Sequence, residues 1–197
     1  MNKIFETTDP IEVDVFVEEG YEDVTFQKIA EERLVLARTR YSPQSIWMSQ
    51  PASWHDFSTS IPAKDSDAIT VTLASTQINE IRGLASRGDL LILTSGGEWQ
   101  AKAGAKTDVF TPSSIVITPS GYRGSHMLAP LDVGDVTLFV QRHGTTVRSM
   151  GYSLEVDGYS SSDLSILAAH MFENNPVVAW AYQQTPWSAP RSPGGGP

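Results

Sequence analysis

The residues that could do chemistry are few in kind and scattered along the chain. No two of the four histidines stand at metal-ligand spacing with a glutamate between them: His55, His126, His143 and His170. His55-Asp56 resembles part of a catalytic triad, but no Gly-x-Ser-x-Gly motif presents a serine nucleophile. A phosphate loop ending in Gly-Lys-Ser or Gly-Lys-Thr is also missing. The sequence therefore predicts no catalytic, cofactor-binding or metal-binding residue and no cofactor.

Acidic pairs are the other chemical candidates. They occur at Glu18-Glu19, at Glu22-Asp23 and at Asp65 with Asp67. Two such acids beside tryptophan sugar platforms are what a glycosidase requires. The Asp-x-Asp-x-Asp-Gly spacing of a calcium loop is missing. Solvated charge on loops explains the pairs more simply, so glycan binding or cleavage remains the alternative hypothesis.

Five side chains are candidate contacts with other subunits or partners. Four are aromatic residues that we predict to lie in loops, and the fifth is the cation of Ser120-Gly-Tyr-Arg-Gly-Ser: Trp54, Tyr122, Tyr152, Tyr159 and Arg123. Aromatic residues and arginine are enriched at protein interfaces. Trp47 and Trp99 stand among alternating apolar residues instead, so core packing is their predicted role.

A repeating β unit is predicted to position these candidate residues. Three short apolar runs are each followed by a turn and a second strand-like run, and they begin at Arg33, Asp89 and Asp135. Gly88-Asp89 precedes Gly134-Asp135 by 46 positions, which places the apolar residues behind both pairs in register. A period near fifty residues is typical of the blades of a β-propeller. The same pattern explains Arg87-Gly88-Asp89 as a turn rather than an adhesion tripeptide.

Other segments carry local signals. Val13, Val15 and Val17 alternate with acidic residues as in a half-buried strand, and Val177-Val-Ala-Trp-Ala-Tyr predicts a final strand. A short helix is expected over residues 163–172, capped by Ser162, with Leu164, Leu167, His170 and Met171 on one side. The paired glycines 96 and 97 are expected to supply positive φ in a hairpin, as does Gly144. We divide the chain into a β domain (1–184) and a flexible Pro/Gly-rich tail (185–197).

Composition limits the class of protein. The 197 residues include 14 basic and 23 acidic side chains, a formal net charge of −9, and no cysteine. Disulfides and thiolate metal sites are therefore impossible. Such an acidic balance argues against a protein that grips the DNA backbone. The sequence also lacks a signal peptide and a run long enough to cross a bilayer, so no membrane insertion is expected.

A series of short motifs resembles one known family. The series runs through Glu32-Arg-Leu-Val-Leu-Ala, Ser45-Ile-Trp-Met-Ser, Trp54-His-Asp-Phe, Ile78-Asn-Glu-Ile-Arg, the Thr-Ser-Gly-Gly-Glu-Trp of residues 94–99, Gly134-Asp-Val-Thr-Leu-Phe-Val-Gln-Arg, Asp157-Gly-Tyr and Ala181-Tyr-Gln-Gln. From about residue 26 to residue 184 the chain is similar to tail tubular or nozzle proteins of short-tailed bacteriophages, also called DNA-stabilisation proteins. Chains of that family are usually several times longer, so this one is expected to form a mainly β, partial or open propeller-like array of antiparallel blades.

The resemblance implies a virion component without catalytic activity. Such a subunit lines or closes the DNA-exit channel below the head-to-tail connector, after assembly in the host cytoplasm. Its implied partners are other copies in a ring, for which six is a candidate number, and other tail and connector proteins. Viral DNA would pass through without sequence-specific binding.

Overall fold

The computed structural model describes residues 26–75, 78–104, 109–173 and 175–183. Within them the chain forms twelve strands and one short helical segment. The strands are β1 Phe26–Ala30, β2 Arg33–Ala37, β3 Ser45–Met48, β4 Ile69–Thr72, β5 Ile81–Arg87, β6 Asp89–Thr94, β7 Glu98–Lys102, β8 Val116–Gly121, β9 Leu131–Val133, β10 Val136–Val140, β11 Val147–Ser153 and β12 Gly158–Asp163. A 3-10 turn at Ile166–Ala168 continues into α1 at Ala169–Phe172.

Every four consecutive strands form one antiparallel sheet. The first sheet has the order β1-β2-β3-β4, the second β5-β6-β7-β8, and the third β12-β11-β10-β9. Neighbouring strands in each sheet are also neighbours in sequence, so each sheet is a meander. The described residues contain no closed barrel. The predicted mainly β, open array of propeller-like blades is thus confirmed.

The three apolar runs occupy equivalent places in the three sheets. They form β2, β6 and β10, the second strand of each sheet, and the runs that follow form the third strands β3, β7 and β11. Each second strand is hydrogen-bonded to a neighbouring strand on both sides. Where other sheets also cover both faces of such a strand, its side chains can be apolar on both faces.

Strand β6 shows how the sheets are stacked. Leu90 and Ile92 belong to the cluster shared by the first and second sheets, whereas Leu91 and Leu93 belong to the cluster shared with the third. Successive strand side chains point to opposite faces, so the second sheet lies between the other two. All four side chains are fully buried. Each such burial contributes about 1.5–3 kcal/mol.

The first strands of the sheets meet along one side of the stack. Strand β1 lies against β5. Lys28 of β1 also pairs with Asp132 of β9, with Nζ 3.6 Å from a carboxylate oxygen. This arrangement matches the inner strands of propeller blades around an axis.

The turn interpretation of Arg87-Gly88-Asp89 is confirmed. Gly88 has φ +74° between β5 and β6, and Gly134 has φ +52° between β9 and β10. The Arg87 guanidinium donates to the carbonyl oxygens of Gly134 and Val136, which joins the two hairpins. Gln100 donates to the Asp89 carboxylate at 2.6 Å. Both charged side chains of the tripeptide are therefore used inside the fold.

Gly96 and Gly97 lie in the predicted hairpin, but the prediction that they supply positive φ is wrong. Neither glycine has positive φ, although Gly144 has φ +81° as expected. A Cβ on Gly96 would stand 2.3 Å from the Asn79 side chain, and one on Gly97 would stand 2.6 Å from the Gly121 carbonyl oxygen. The hairpin needs glycine because neighbouring chain segments approach it closely.

The short helix predicted near residues 163–172 is confirmed, but it begins three residues later than predicted, at Ile166. Strand pairing continues to Ser162 and Asp163, which face Ser149 and Arg148 of β11, so Ser162 is in the sheet and caps no helix. Ser165 stands before the 3-10 turn, but its hydroxyl binds the Asp163 carboxylate at 2.9 Å instead. The side chains expected on one side of a longer helix are more than half exposed: Leu164, Leu167 and Met171. Sheet pairing has displaced the first helical turn.

The predicted final strand over residues 177–182 is also wrong. These residues form no strand, and Val177 N donates to the Gly144 carbonyl at 2.8 Å while Trp180 Nε1 donates to the Ala129 carbonyl at 2.9 Å. The segment runs across loops, where no strand ladder is available among the described residues. The predicted strand at residues 12–17 and the tail at 185–197 lie outside the described residues.

Candidate interaction surface

The connections at the two ends of the stack differ in charge. One end carries the connections 31–32, 49–68, 134–135 and 154–157, together with the Gly88 turn and the described part of 103–115. These described connections hold eight carboxylates and one lysine: Glu31, Glu32, Asp56, Asp65, Asp67, Asp135, Glu155, Asp157 and Lys64. We call this the acidic end.

The opposite end carries arginine. Its described connections 38–44, 73–75, 78–80, 95–97, 122–130 and 141–146 contain four arginines, two histidines and one carboxylate, Glu80. The arginines are Arg38, Arg40, Arg123 and Arg142. We call this the arginine end. Large exposed apolar and aromatic side chains occur at both ends, and those at the arginine end include Tyr41, Tyr122, Met127, Leu164, Leu167 and Val178.

The loop 122–130 is the centre of the arginine end. Ser125 N donates to the Thr94 carbonyl at 2.8 Å, His126 N to the Val140 carbonyl at 2.8 Å, and Arg142 N to the Gly124 carbonyl at 3.1 Å. These bonds fasten the loop to the second sheet on one side and to the third on the other. Tyr122, 82% exposed, and the exposed Arg123 are therefore presented on a fixed backbone.

A charged network joins this loop to the first sheet. Arg38 and Arg82 both pair with Glu80, at 3.0 and 2.9 Å. Arg82 also donates to the Ser125 carbonyl at 2.9 Å, and Arg38 lies 3.4 Å from Met127 Sδ. The arginine end is consequently one continuous surface assembled from all three sheets.

Glu98 lies buried beneath the loop and supports its backbone. One carboxylate oxygen accepts a bond from Arg123 N at 3.3 Å, and the other finds no hydrogen-bond partner among the described residues. Burial raises the pKa of the Glu98 carboxyl, against the opposing effects of the Arg123 and Gly124 amides and of the Arg148 charge. Because the ionised form is the disfavoured one, Glu98 destabilises the folded protein at neutral pH.

Glu98→Gln is therefore expected to increase the free energy of unfolding at pH 7. A folded-state pKa above the unfolded value means that the wild type gains stability as the pH falls through the folded pKa, where Glu98 takes up a proton. The advantage of Glu98→Gln should shrink over that interval and disappear below the unfolded pKa. Urea unfolding of both proteins from pH 4 to pH 8 measures the difference. Glu155→Gln, at an exposed site, is the control and should show no such trend; an unchanging difference for Glu98→Gln would contradict the argument.

The predicted contact residues fall in different places. Tyr122 and Arg123 lie together at the arginine end as loop residues. Trp54 lies half-buried in the loop 49–68 at the acidic end. The predicted loop positions of Trp54, Tyr122 and Arg123 are confirmed, and their role as contacts stays a prediction. The sequence did not show that they lie at opposite ends.

The loop placement of Tyr152 and Tyr159 is wrong. They stand directly opposite each other on β11 and β12, with ring centroids 5.8 Å apart in an edge-to-face arrangement. Tyr152 is half exposed, whereas Tyr159 is buried and donates from its hydroxyl to the Arg87 carbonyl at 2.6 Å. Both rings lie on the same face of the sheet. The Tyr159 ring can be buried there because its hydroxyl still reaches a hydrogen-bond partner.

Sequence reasoning missed Arg40, Tyr41, Met127 and Arg142. Each is exposed at the arginine end, on loops far apart in sequence. The available signal was that three separate connections, 38–44, 122–130 and 141–146, contain arginine but no carboxylate.

Of the acidic pair Asp65 and Asp67, the Asp67 carboxylate has a structural role. The Asp67 carboxylate accepts bonds from Ser60 N, Ser60 Oγ and Lys64 N, at 2.9, 2.6 and 2.8 Å. These bonds lower the pKa of Asp67 and organise the loop 49–68. Within the described part of the chain, no group of three or more His, Asp or Glu residues could hold a metal ion, and no helix is long and apolar enough to span a bilayer.

Comparison with known proteins adds no assignment. No protein-family model matches the chain, and no curated protein matches it significantly.

Proposed function

We propose that this chain is a structural subunit of a phage tail, of the nozzle or tail-tube kind, which lines or closes the DNA-exit channel below the head-to-tail connector. The motif series over residues 26–184 and the blade-like fold support this function. The observation that carries most weight is the open stack of three meanders, because a partial array leaves sheet faces for neighbouring subunits to cover.

The outer face of the third sheet has the composition of such a contact. Strand register places Leu131 opposite Leu138 and Val133 opposite Val136, and alternation with the buried Phe139 points these residues away from the second sheet. They are only half-buried, and no further sheet follows in the described residues. Contact with another copy in a ring, or with another tail protein, would remove this apolar surface from water.

The net charge of the chain supports a channel through which DNA passes without being bound. The formal charge of −9 repels a polyanion. Viral DNA would therefore pass such a subunit without sequence-specific binding, in a virion assembled in the host cytoplasm.

Electron microscopy and light scattering of the purified protein test the assignment. We expect the protein to form rings, or to co-purify with tail and connector proteins from infected cells. Leu138→Asp should abolish the rings, because it would bury a carboxylate at the contact between subunits. Glu155→Gln, at an exposed loop site away from this face, is a control and should keep the rings. In a gel at moderate salt the protein should not retard duplex DNA, and retardation at about nanomolar protein would contradict a passive channel.

A monomer that binds oligosaccharides and loses that binding in Trp54→Ala would favour the carbohydrate alternative.

A further inference from the structure

We propose that the acidic segment of residues 1–25 docks on the arginine end of its own chain. The receiving surface consists of six exposed side chains, which we call the arginine face: Arg40, Tyr41, Tyr122, Arg123, Met127 and Arg142. This inference does not depend on the phage assignment.

The direction of β1 places the segment at the correct end. Phe26, the first residue of β1, pairs with Ala37, the last residue of β2. Ala37 leads directly into Arg38 and Arg40 at the arginine end. Residue 25 therefore joins the described fold beside the arginine face, whereas the other end of β1 leads to the acidic turn at Glu31.

The segment and the face are complementary in charge. Residues 1–25 contain eight carboxylates and one lysine, a net charge of −7 out of the −9 of the whole chain. The three connections that form the face contain four arginines, of which Arg38 is already paired with Glu80 of the neighbouring connection. Arg40, Arg123 and Arg142 are exposed and make no ion pair with any residue that the structure describes. Docking would supply carboxylates to guanidinium groups that bind them well.

The apolar residues of the two parts also correspond. Ile11, Val13, Val15, Val17 and Tyr21 are interspersed with the carboxylates of the segment. Tyr41 and Tyr122 are 87% and 82% exposed on the face, and Met127 is 44% exposed. Aromatic, methionine and arginine side chains together are characteristic of protein contacts rather than of a phosphate-binding surface alone.

Tethering favours this occupant over a separate acidic molecule. Residues 11–25 can span at most about 3.3–3.6 Å per residue, roughly 50 Å, which is ample for a face that begins next to residue 26. A tethered segment of this length has an effective concentration on the order of millimolar. A DNA backbone would have to displace eight carboxylates held at that concentration.

Paramagnetic relaxation in the full chain tests the docking. The protein has no cysteine, so a nitroxide on Val15→Cys labels one site only. We expect loss of amide signal intensity for residues 122–127 and 142, and recovery of that intensity in 1 M salt, where the Debye length falls to about 3 Å. The combined substitution Arg40→Glu, Arg123→Glu and Arg142→Glu should restore the signals as well. Its Tm verifies that the fold is kept, and the salt series needs no substitution.

Two controls make the result specific. A nitroxide on Glu155→Cys, at the acidic end, should leave the arginine face unaffected. Broadening from position 15 at the acidic end, or no broadening in the described residues, would overturn the proposal. Mixing ¹⁵N protein without nitroxide and nitroxide-labelled protein without ¹⁵N detects docking between chains. Broadening of the arginine face in that mixture would overturn docking within one chain.

Discussion

Replacing Arg33 by methionine is expected to reduce the free energy of unfolding by about 3–5 kcal/mol, because it removes a buried charge on which several other groups depend. The Arg33 side chain is only 2% exposed. Its guanidinium donates to the carbonyl oxygens of Ser49, Asp67, Asp65 and Phe110 at 2.7, 2.8, 3.1 and 3.0 Å. Methionine fills the space without making any of these bonds.

The effect should extend beyond the first sheet. Phe110 belongs to the connection between β7 and β8, and its N donates to Glu31 Oε2 at 2.6 Å. Arg33 and Glu31 thus fasten the second sheet and the loop 49–68 to the turn between β1 and β2. Losing Arg33 leaves four carbonyl acceptors without this donor and removes a positive charge that interacts favourably with Glu31 and Asp67.

Thermal and urea unfolding measure this prediction. For a chain of this size we expect Tm to fall by about 2–4 °C for each kcal/mol lost. Arg33→Lys should recover little, because an ammonium cannot reproduce the planar fork of donors. Arg123→Met, at an exposed arginine, is the control and should remain within about 0.5 kcal/mol of the wild type. Equal stabilities for the Arg33 and Arg123 variants would refute the role assigned to Arg33.

The second large effect is expected at Gly124. Gly124 has φ +74°, and a Cβ there would stand 2.3 Å from the Ser95 carbonyl oxygen, a backbone atom. Gly124→Ala therefore combines a left-handed backbone cost of about 1–3 kcal/mol with an overpacking cost of about 1–3 kcal/mol. Because the loop carries Tyr122 and Arg123, the displaced loop should also weaken any binding at the arginine face.

Gly88 provides a matched control for this substitution. It has the same φ of +74°, but a Cβ there would meet nothing within 4 Å. Gly88→Ala should therefore show the backbone cost alone, and the difference between the two variants in chemical unfolding isolates the clash with Ser95. If both variants lost the same stability, the close approach at Gly124 would have no energetic importance.

The distribution of charge changes how the acidic composition is understood. Residues 1–25 hold eight of the 23 carboxylates and one of the 14 cations, so the rest of the chain has 15 acidic and 13 basic residues, a net charge of only −2. An average over the whole chain conceals one acidic segment, one acidic end and one arginine end. The overall charge predicts repulsion of DNA, whereas recognition by a protein partner depends on the separate surfaces.

The sequence by itself determined the blades. Alternation and apolar runs placed β2, β6 and β10 correctly, since such patterns reflect local exposure along one strand. The close likeness of Gly88-Asp89 and Gly134-Asp135 identified equivalent hairpins for the same reason.

Only the tertiary structure decided the remaining features, because they depend on segments that are distant in sequence. Pairing with β11 kept Ser162 and Asp163 in a strand where the local signals favoured a helix. The approach of Asn79 and Gly121 explains the paired glycines 96 and 97. The arginine face draws its residues from connections about 20 to 100 positions apart along the chain. Periodicity reports which side of an element is covered, whereas packing between sheets decides which elements meet.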